Sequence, residues 1–138
     1  MTPVTDVDTA LTGQRDQRAL QILTDPYSDG RVELRADGSP SAVVYLNRDA
    51  FAAPAPGTYS SVRPRSILGP ASLTNDLAVT RRLRLPKGQG LQLRWEIFNV
   101  LNHVNYLAPV VSLNSANFGR ITTTGDPRIM QFALKYEF

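Results

Sequence analysis

From residue 72 to 138 the chain alternates apolar and polar side chains with a period of two, the signature of strands with one apolar face. In residues 72–85, Leu73, Leu77, Val79, Leu83 and Leu85 fall on one face and Asp76, Ala78, Thr80, Arg82 and Arg84 on the other. Asn75 and Arg81 are polar intruders on the apolar face. Residues 86–90, PKGQG, place two glycines in a tight turn. Residues 91–102 set Leu91, Leu93, Trp95 and Ile97 against Gln92, Arg94 and Glu96, and the alternation blurs after Phe98, where a bulge or strand end is expected. Residues 128–138 alternate most cleanly, with Met130, Phe132, Leu134, Tyr136 and Phe138 on one side and Ile129, Gln131, Ala133, Lys135 and Glu137 on the other. The pattern predicts an all-β, antiparallel meander of about three long strands: 72–85, 91–102 and 128–138.

Residues 1–71 follow a different grammar. Prolines crowd between Pro26 and Pro70, and DPYSDG, ADGSP and AAPAPG are turn-rich. RVELR (31–35) and SAVVYL (41–46) flank Asp37-Gly38 as a short hairpin. NRDAFA (47–52) predicts one helical turn capped by Asn47, and RALQIL (18–23) suggests another. None of these pieces is long enough to own a core. A second irregular stretch spans 106–127, with FGRITT (118–123) extended as a hairpin flank. The chain thus divides into a loop-like segment, 1–71, and a strand-bearing segment, 72–138.

An apolar strand face turns either to a protein core, with water beyond the polar face, or to lipid, with a wet lumen on the polar side. Three features favour lipid. The predicted strands reach ten residues or more, the length that crosses a bilayer when tilted, against about 5–6 in soluble sheets. The turn at 86–90 is short whereas 1–71 and 106–127 are long, the asymmetry of an outer-membrane barrel with short periplasmic turns and long outer loops. With 86–90 at the periplasmic side, 72–85 runs inward, 91–102 outward and 128–138 inward, which sets Tyr136 and Phe138 at the interface, where aromatic girdles lie. Met130, Phe132, Leu134, Tyr136 and Phe138 would gain about 1.5–3 kcal/mol each on leaving water, roughly 7–15 kcal/mol for one strand. Residues 1–71 offer few periodic apolar positions to supply that burial. The alternative is a soluble β-rich binding module with 1–71 folded over the apolar face.

Composition narrows the field only modestly. Across 138 residues, 42% are hydrophobic and 20% charged, which indicates a folded chain. No apolar run approaches the ~20 residues of a spanning helix. The net charge is +3. Arg81, Arg82, Arg84 and Lys87 alternate with Leu83 and Leu85 along a strand, so no nucleic-acid partner is expected.

Several stretches, SILGPASLTNDLAVTRRLRL, LQLRWEIFNVLNHVNY and NSANFGRITTTGDPRIMQFALKYEF, resemble the C-terminal strands of TonB-dependent outer-membrane receptors of the Oar-like group, which often carry a carboxypeptidase-regulatory-like domain. DTALTGQRDQRALQIL and YLNRDAFAAPAPGTY resemble that group's long loop before the last strands. The most specific pieces are FN.LNH.NY, NFGRIT..GDPR and the terminal QFALKYEF. Asn75 and Arg48 depart from the group's usual aromatic and proline. The resemblance implies a C-terminal fragment of a barrel for energy-coupled uptake, unable to transport alone. It lacks the plug and the segment that contacts the inner-membrane energy-coupling complex. The implied partners are outer-membrane lipid, the rest of the barrel and the barrel-assembly machinery, and the implied location is the bacterial outer membrane. In that group the last strand resembles the signal read by the assembly machinery; the matching positions are Met130, Phe132, Leu134, Tyr136 and Phe138. Strand addition at an open edge supplies the physics.

Little else points to chemistry. There is no cysteine, and His103 is the only histidine, so neither thiolate nor multi-histidine metal sites are expected. Asp6, Asp8, Asp25, Asp29 and Asp37 suit turns better than calcium. GQG (88–90) precedes no helix and is not a phosphate loop. Gln92, Arg94, Glu96, Gln131, Lys135 and Glu137 suggest cross-strand polar ladders on the lumen face. No enzymatic activity and no cofactor are expected.

Overall fold

The computed structural model describes the whole chain, Met1–Phe138. Its strands are β1 Leu20–Gln21, β2 Val32–Leu34, β3 Pro40–Val44, β4 Phe51–Ala52, β5 Leu77–Arg84, β6 Gly90–Phe98, β7 Arg120–Ile121 and β8 Ile129–Glu137, with single 3-10 turns at Arg48–Ala50 and Pro86–Gly88. All strand pairings are antiparallel, so the fold is all-β, as the alternation predicts. The chain divides into two compact units: Met1–Pro70 with Tyr106–Thr123, and Ala71–Asn105 with Thr124–Phe138. Residues 106–123, grouped with the strands when the sequence is read alone, lie in the first unit.

The first unit corrects the expectation of a coreless loop. Ala19, Leu46, Ala50, Phe51, Ile67, Leu113 and Phe118 form a buried cluster, with Met1, Tyr27 and Tyr45 packed against it. Phe51 and Phe118 meet edge to face at 5.5 Å, a favoured aromatic geometry. Residues 18–23 form no helical turn: Leu20 and Gln21 are extended and pair with Ala52 and Phe51. The hairpin around Asp37-Gly38 is present, pairing β2 with β3. Residues 118–123 do not flank a local hairpin; β7 instead pairs with β3, Val43 opposite Ile121. Arg120 reaches past β3 to Glu33 on β2, with Nε 2.7 Å from Oε2 and Nη2 2.9 Å from Oε1, the two-pronged geometry that suits guanidinium and carboxylate.

Two local devices hold this unit together. Asn47 caps the 3-10 turn, its Oδ1 accepting from the Asp49 N–H at 3.0 Å, as the sequence predicts. Gly119 adopts φ +77°, and its carbonyl accepts from the N–H groups of Tyr45 and Leu46 at 2.8 and 3.0 Å. A Cβ at this position would fall 2.4 Å from the Leu46 carbonyl oxygen, so only glycine allows the two backbones this close.

The turn carboxylates are engaged locally. Asp8 accepts from the N–H groups of Thr12 and Gly13, Asp25 from that of Tyr27, and Asp29 from that of Arg31. Asp37 accepts from the Ser39 hydroxyl at 2.6 Å and the Ser39 N–H at 2.9 Å. Asp6 accepts from the Ser112 hydroxyl.

The second unit is a three-stranded meander in the order β5-β6-β8, with β6 central. The strands have eight, nine and nine residues, shorter than the sequence suggests but close to the ~9–11 that cross a bilayer. Leu85 N–H closes the β5–β6 turn on Gln89 O at 2.9 Å, with Lys87 at φ 63° and Gly88 at φ 79°. Residues 72–76 and 99–102 fall outside the strands. Asn75 is therefore no intruder on the strand face.

Candidate membrane-facing sheet

Register decides which side chains share a face, because residues directly opposite in an antiparallel pair project the same way. The pairings of β5 with β6 and of β6 with β8 set up four rows: Leu77–Ile97–Met130, Val79–Trp95–Phe132, Arg81–Leu93–Leu134 and Leu83–Leu91–Tyr136. All the apolar positions read from the alternation within the three strands fall on this one face. A one-residue slip in either pairing would have moved a whole strand's apolar set to the other side. Phe138 lies just past the end of β8, its ring 6.1 Å from that of Tyr136.

This face is largely uncovered by protein. Phe132 is 76% exposed, Leu134 66% and Phe138 99%. Leu77, Val79, Leu83, Leu93, Trp95, Met130 and Tyr136 are also exposed, Leu91 is half-buried, and only Ile97 is buried. So large a contiguous apolar surface marks an interaction site for something not aqueous. Both outer strands, β5 and β8, have one unpaired edge. A bilayer does not tolerate such edges, so a position in a membrane would require further strands on either side.

The opposite face carries the rows Ala78–Glu96–Gln131, Thr80–Arg94–Ala133, Arg82–Gln92–Lys135 and Arg84–Gly90–Glu137. Its ion pairs run along strands more than across them. Arg94 meets Glu96 at 2.6 Å and Lys135 meets Glu137 at 2.7 Å. The cross-strand contact is Arg82 Nε donating to Gln92 Oε1 at 3.4 Å. These pairs are exposed or half-exposed and contribute little to stability singly.

At the end of the sheet away from the 86–90 turn, asparagines and an aspartate tie the chain where it leaves the strands. Asn99 is buried with φ 51°, a left-handed conformation that asparagine tolerates. Its N–H donates to Asp76 Oδ1 at 3.0 Å. Its side chain accepts from His103 N–H at 3.0 Å and donates to the carbonyls of His103 and Asp126 at 3.0 and 3.2 Å. Asn105 acts as a short artificial strand: Oδ1 accepts from Leu73 N–H at 2.7 Å and Nδ2 donates to Leu73 O at 3.0 Å. Asn102 Oδ1 accepts from Arg128 N–H at 3.1 Å. His103 is exposed, its Nδ1 3.2 Å from Asn105 Oδ1. This knot is what the alternation could not reveal, although asparagines clustered just after a strand-ending aromatic are its trace in the sequence.

A family model described as outer membrane beta barrel domain matches residues 1–131. No curated protein and no solved structure matches the chain.

Proposed function

Since the chain belongs to the outer membrane β-barrel domain family, and so to the bacterial outer membrane, we propose that its three long strands form part of the wall of a TonB-dependent receptor barrel. The observation that carries this reading is the exposed apolar face of β5, β6 and β8, held in register across all three strands. In it Leu77, Val79, Leu83, Leu91, Leu93, Trp95, Met130, Phe132, Leu134 and Tyr136 contact lipid, whereas Ile97, expected there from the alternation, is buried within the chain; the Arg94, Glu96 and Lys135 face lines the lumen.

The short turn at 86–90 is periplasmic, and the first unit is an outer-loop structure. The rest of the barrel supplies the missing strands, and the energy-coupling complex of the inner membrane acts through a segment outside this chain. β8 is the strand presented to the barrel-assembly machinery: its edge is unpaired, and Met130, Phe132, Leu134, Tyr136 and Phe138 offer alternate side chains for pockets of a partner that adds a strand. The resemblance to the Oar-like group supports the finer reading.

Two measurements on the intact barrel test it. Phe138→Ser should lower the amount assembled in the outer membrane; unchanged amounts would leave β8 its structural part and remove the signal. Loss of the energy-coupling complex should abolish uptake while leaving the amount of barrel unchanged; uptake that persists would remove the TonB-dependent assignment.

A further inference from the structure

Arg81 is the one charged side chain among the four rows of the apolar face. It lies opposite Leu93, with Leu134 next in its row. It makes neither an ion pair nor a side-chain hydrogen bond within the chain. The carboxylates on the strands are engaged elsewhere, Glu96 with Arg94 and Glu137 with Lys135, both on the opposite face. Beside Arg81 the sheet forms an open hollow of about 370 Å³ lined by Val79, Leu93, Trp95, Phe132 and Leu134, with Arg94 and Ala133 of the opposite-face rows also at its wall; the Arg94 guanidinium is paired with Glu96. An unpaired guanidinium beside an apolar trough is complementary to an amphiphile with an anionic head and a hydrocarbon tail.

We propose that this is a site for one anionic phospholipid, its phosphate held by Arg81 and an acyl chain lying over Leu93, Trp95, Phe132 and Leu134. The proposal rests on the reading that the apolar face meets lipid. The depth is suitable. Arg81 is three residues from the end of β5 at Arg84, about 10 Å along the strand at ~3.4 Å per residue. A barrel tilt of ~40° reduces this to about 8 Å of depth. A flexible arginine stem snorkels over such a distance to the headgroups. The planar fork then binds phosphate oxygens two at a time, and a charge left on a lipid face without such a partner is costly.

Trp95 lines the hollow and is the sole tryptophan of the chain, so its fluorescence reports on the site. The intact barrel, with any tryptophan outside residues 1–138 replaced by phenylalanine, is placed in mixed micelles of nonionic detergent with a brominated phospholipid, either zwitterionic phosphatidylcholine or anionic phosphatidylglycerol. Quenching by both lipids is expected, with the anionic lipid favoured about fivefold at equal mole fraction. Arg81→Gln should bring the two lipids to parity and Arg81→Lys should retain most of the preference. Arg82→Gln removes the same charge from the opposite face and should leave the preference intact.

Equal losses in Arg81→Gln and Arg82→Gln would reduce the effect to general charge attraction and overturn the site. Loss of the preference on adding millimolar inorganic phosphate would overturn the lipid in favour of a free anion. Quenching by both lipids with no anionic preference would overturn the site while keeping the lipid face. No quenching by either would overturn the lipid face itself.

Discussion

Trp95 on β6 stands directly opposite Phe132 on β8, their rings 5.6 Å apart and 6° from parallel. The pair and Val79 make one continuous row across three strands. Such a row is formed only if both registers are right, which ties the sequence alternation to a single arrangement of the sheet. Phe132 is also among the most exposed side chains of the face, so its row is where the surroundings of the sheet matter most.

Charge placed on this row should therefore be penalised, and charge one residue away should not. In the intact barrel, Phe132→Arg is expected to lower the unfolding free energy in lipid vesicles by about 2–4 kcal/mol, the cost of a cation near the bilayer midplane. Gln131→Arg, on the opposite face, should change it by less than about 1 kcal/mol. Urea titration of both variants checks the difference, and equal effects would refute the assignment of faces.

The long strands were legible because burial on one side imposes a period of two, and the overruns at their ends have a physical cause. Leu73 continues the alternation, yet its N–H and carbonyl are taken by the Asn105 side chain in place of a strand neighbour. Asn99 turns left-handed after Phe98 and ends β6 where the alternation begins to blur. The first unit was far less legible. Its core gathers Ala19, Leu46, Phe51, Ile67 and Phe118 from short pieces with no periodicity, and its sheets are closed by distant pairings such as Val43 with Ile121. Those apolar side chains are used in the unit's own core, which weakens the case for a soluble module built around the strand face.

The knot at Asn99 should be sensitive to both its bonds and its backbone. Asn99→Ala removes three side-chain hydrogen bonds and places a Cβ residue without a local partner at φ 51°. The expected loss is about 2–4 kcal/mol, combining unsatisfied polar partners with left-handed strain. Asn99→Gly relieves only the strain and should fall between this variant and the parent. Denaturant midpoints of the intact barrel order the three proteins.

Gly119→Ala should loosen the first unit selectively. The added methyl meets the Leu46 carbonyl oxygen at 2.4 Å, and the φ of +77° disfavours any side chain. Backbone must move at the β3–β7 pairing, at a cost of about 1–3 kcal/mol. Limited proteolysis should then cut residues 40–50 and 115–121 faster, with the β8 segment unaffected.

The β2–β3 turn should respond to acid through Asp37. The Ser39 hydroxyl and then the Ser39 N–H hold its carboxyl below the usual carboxylate range. A depressed folded pKa means that the contribution is complete above the unfolded carboxyl pKa. It declines as the pH falls from there and is gone below the folded pKa. Protection of the Ser39 amide, its exchange rate divided into the intrinsic rate at the same pH, should fall over that acid interval, and Asp37→Asn should abolish that fall. Protection that is already lost near neutrality would contradict the assignment.

On the proposed reading, the two faces of β8 meet different solvents. The chain has no cysteine, so single spin labels can be introduced one at a time at positions 130–136 in the membrane-embedded barrel. Accessibility to lipid-soluble oxygen should peak at Met130, Phe132, Leu134 and Tyr136. Accessibility to a water-soluble nickel chelate should be low at those four positions and show its maxima among Gln131, Ala133 and Lys135. Two profiles with a period of two and opposite phase are the predicted result. Profiles without that period, or chelate access at Phe132 and Leu134 equal to that at Gln131 and Lys135, would contradict it.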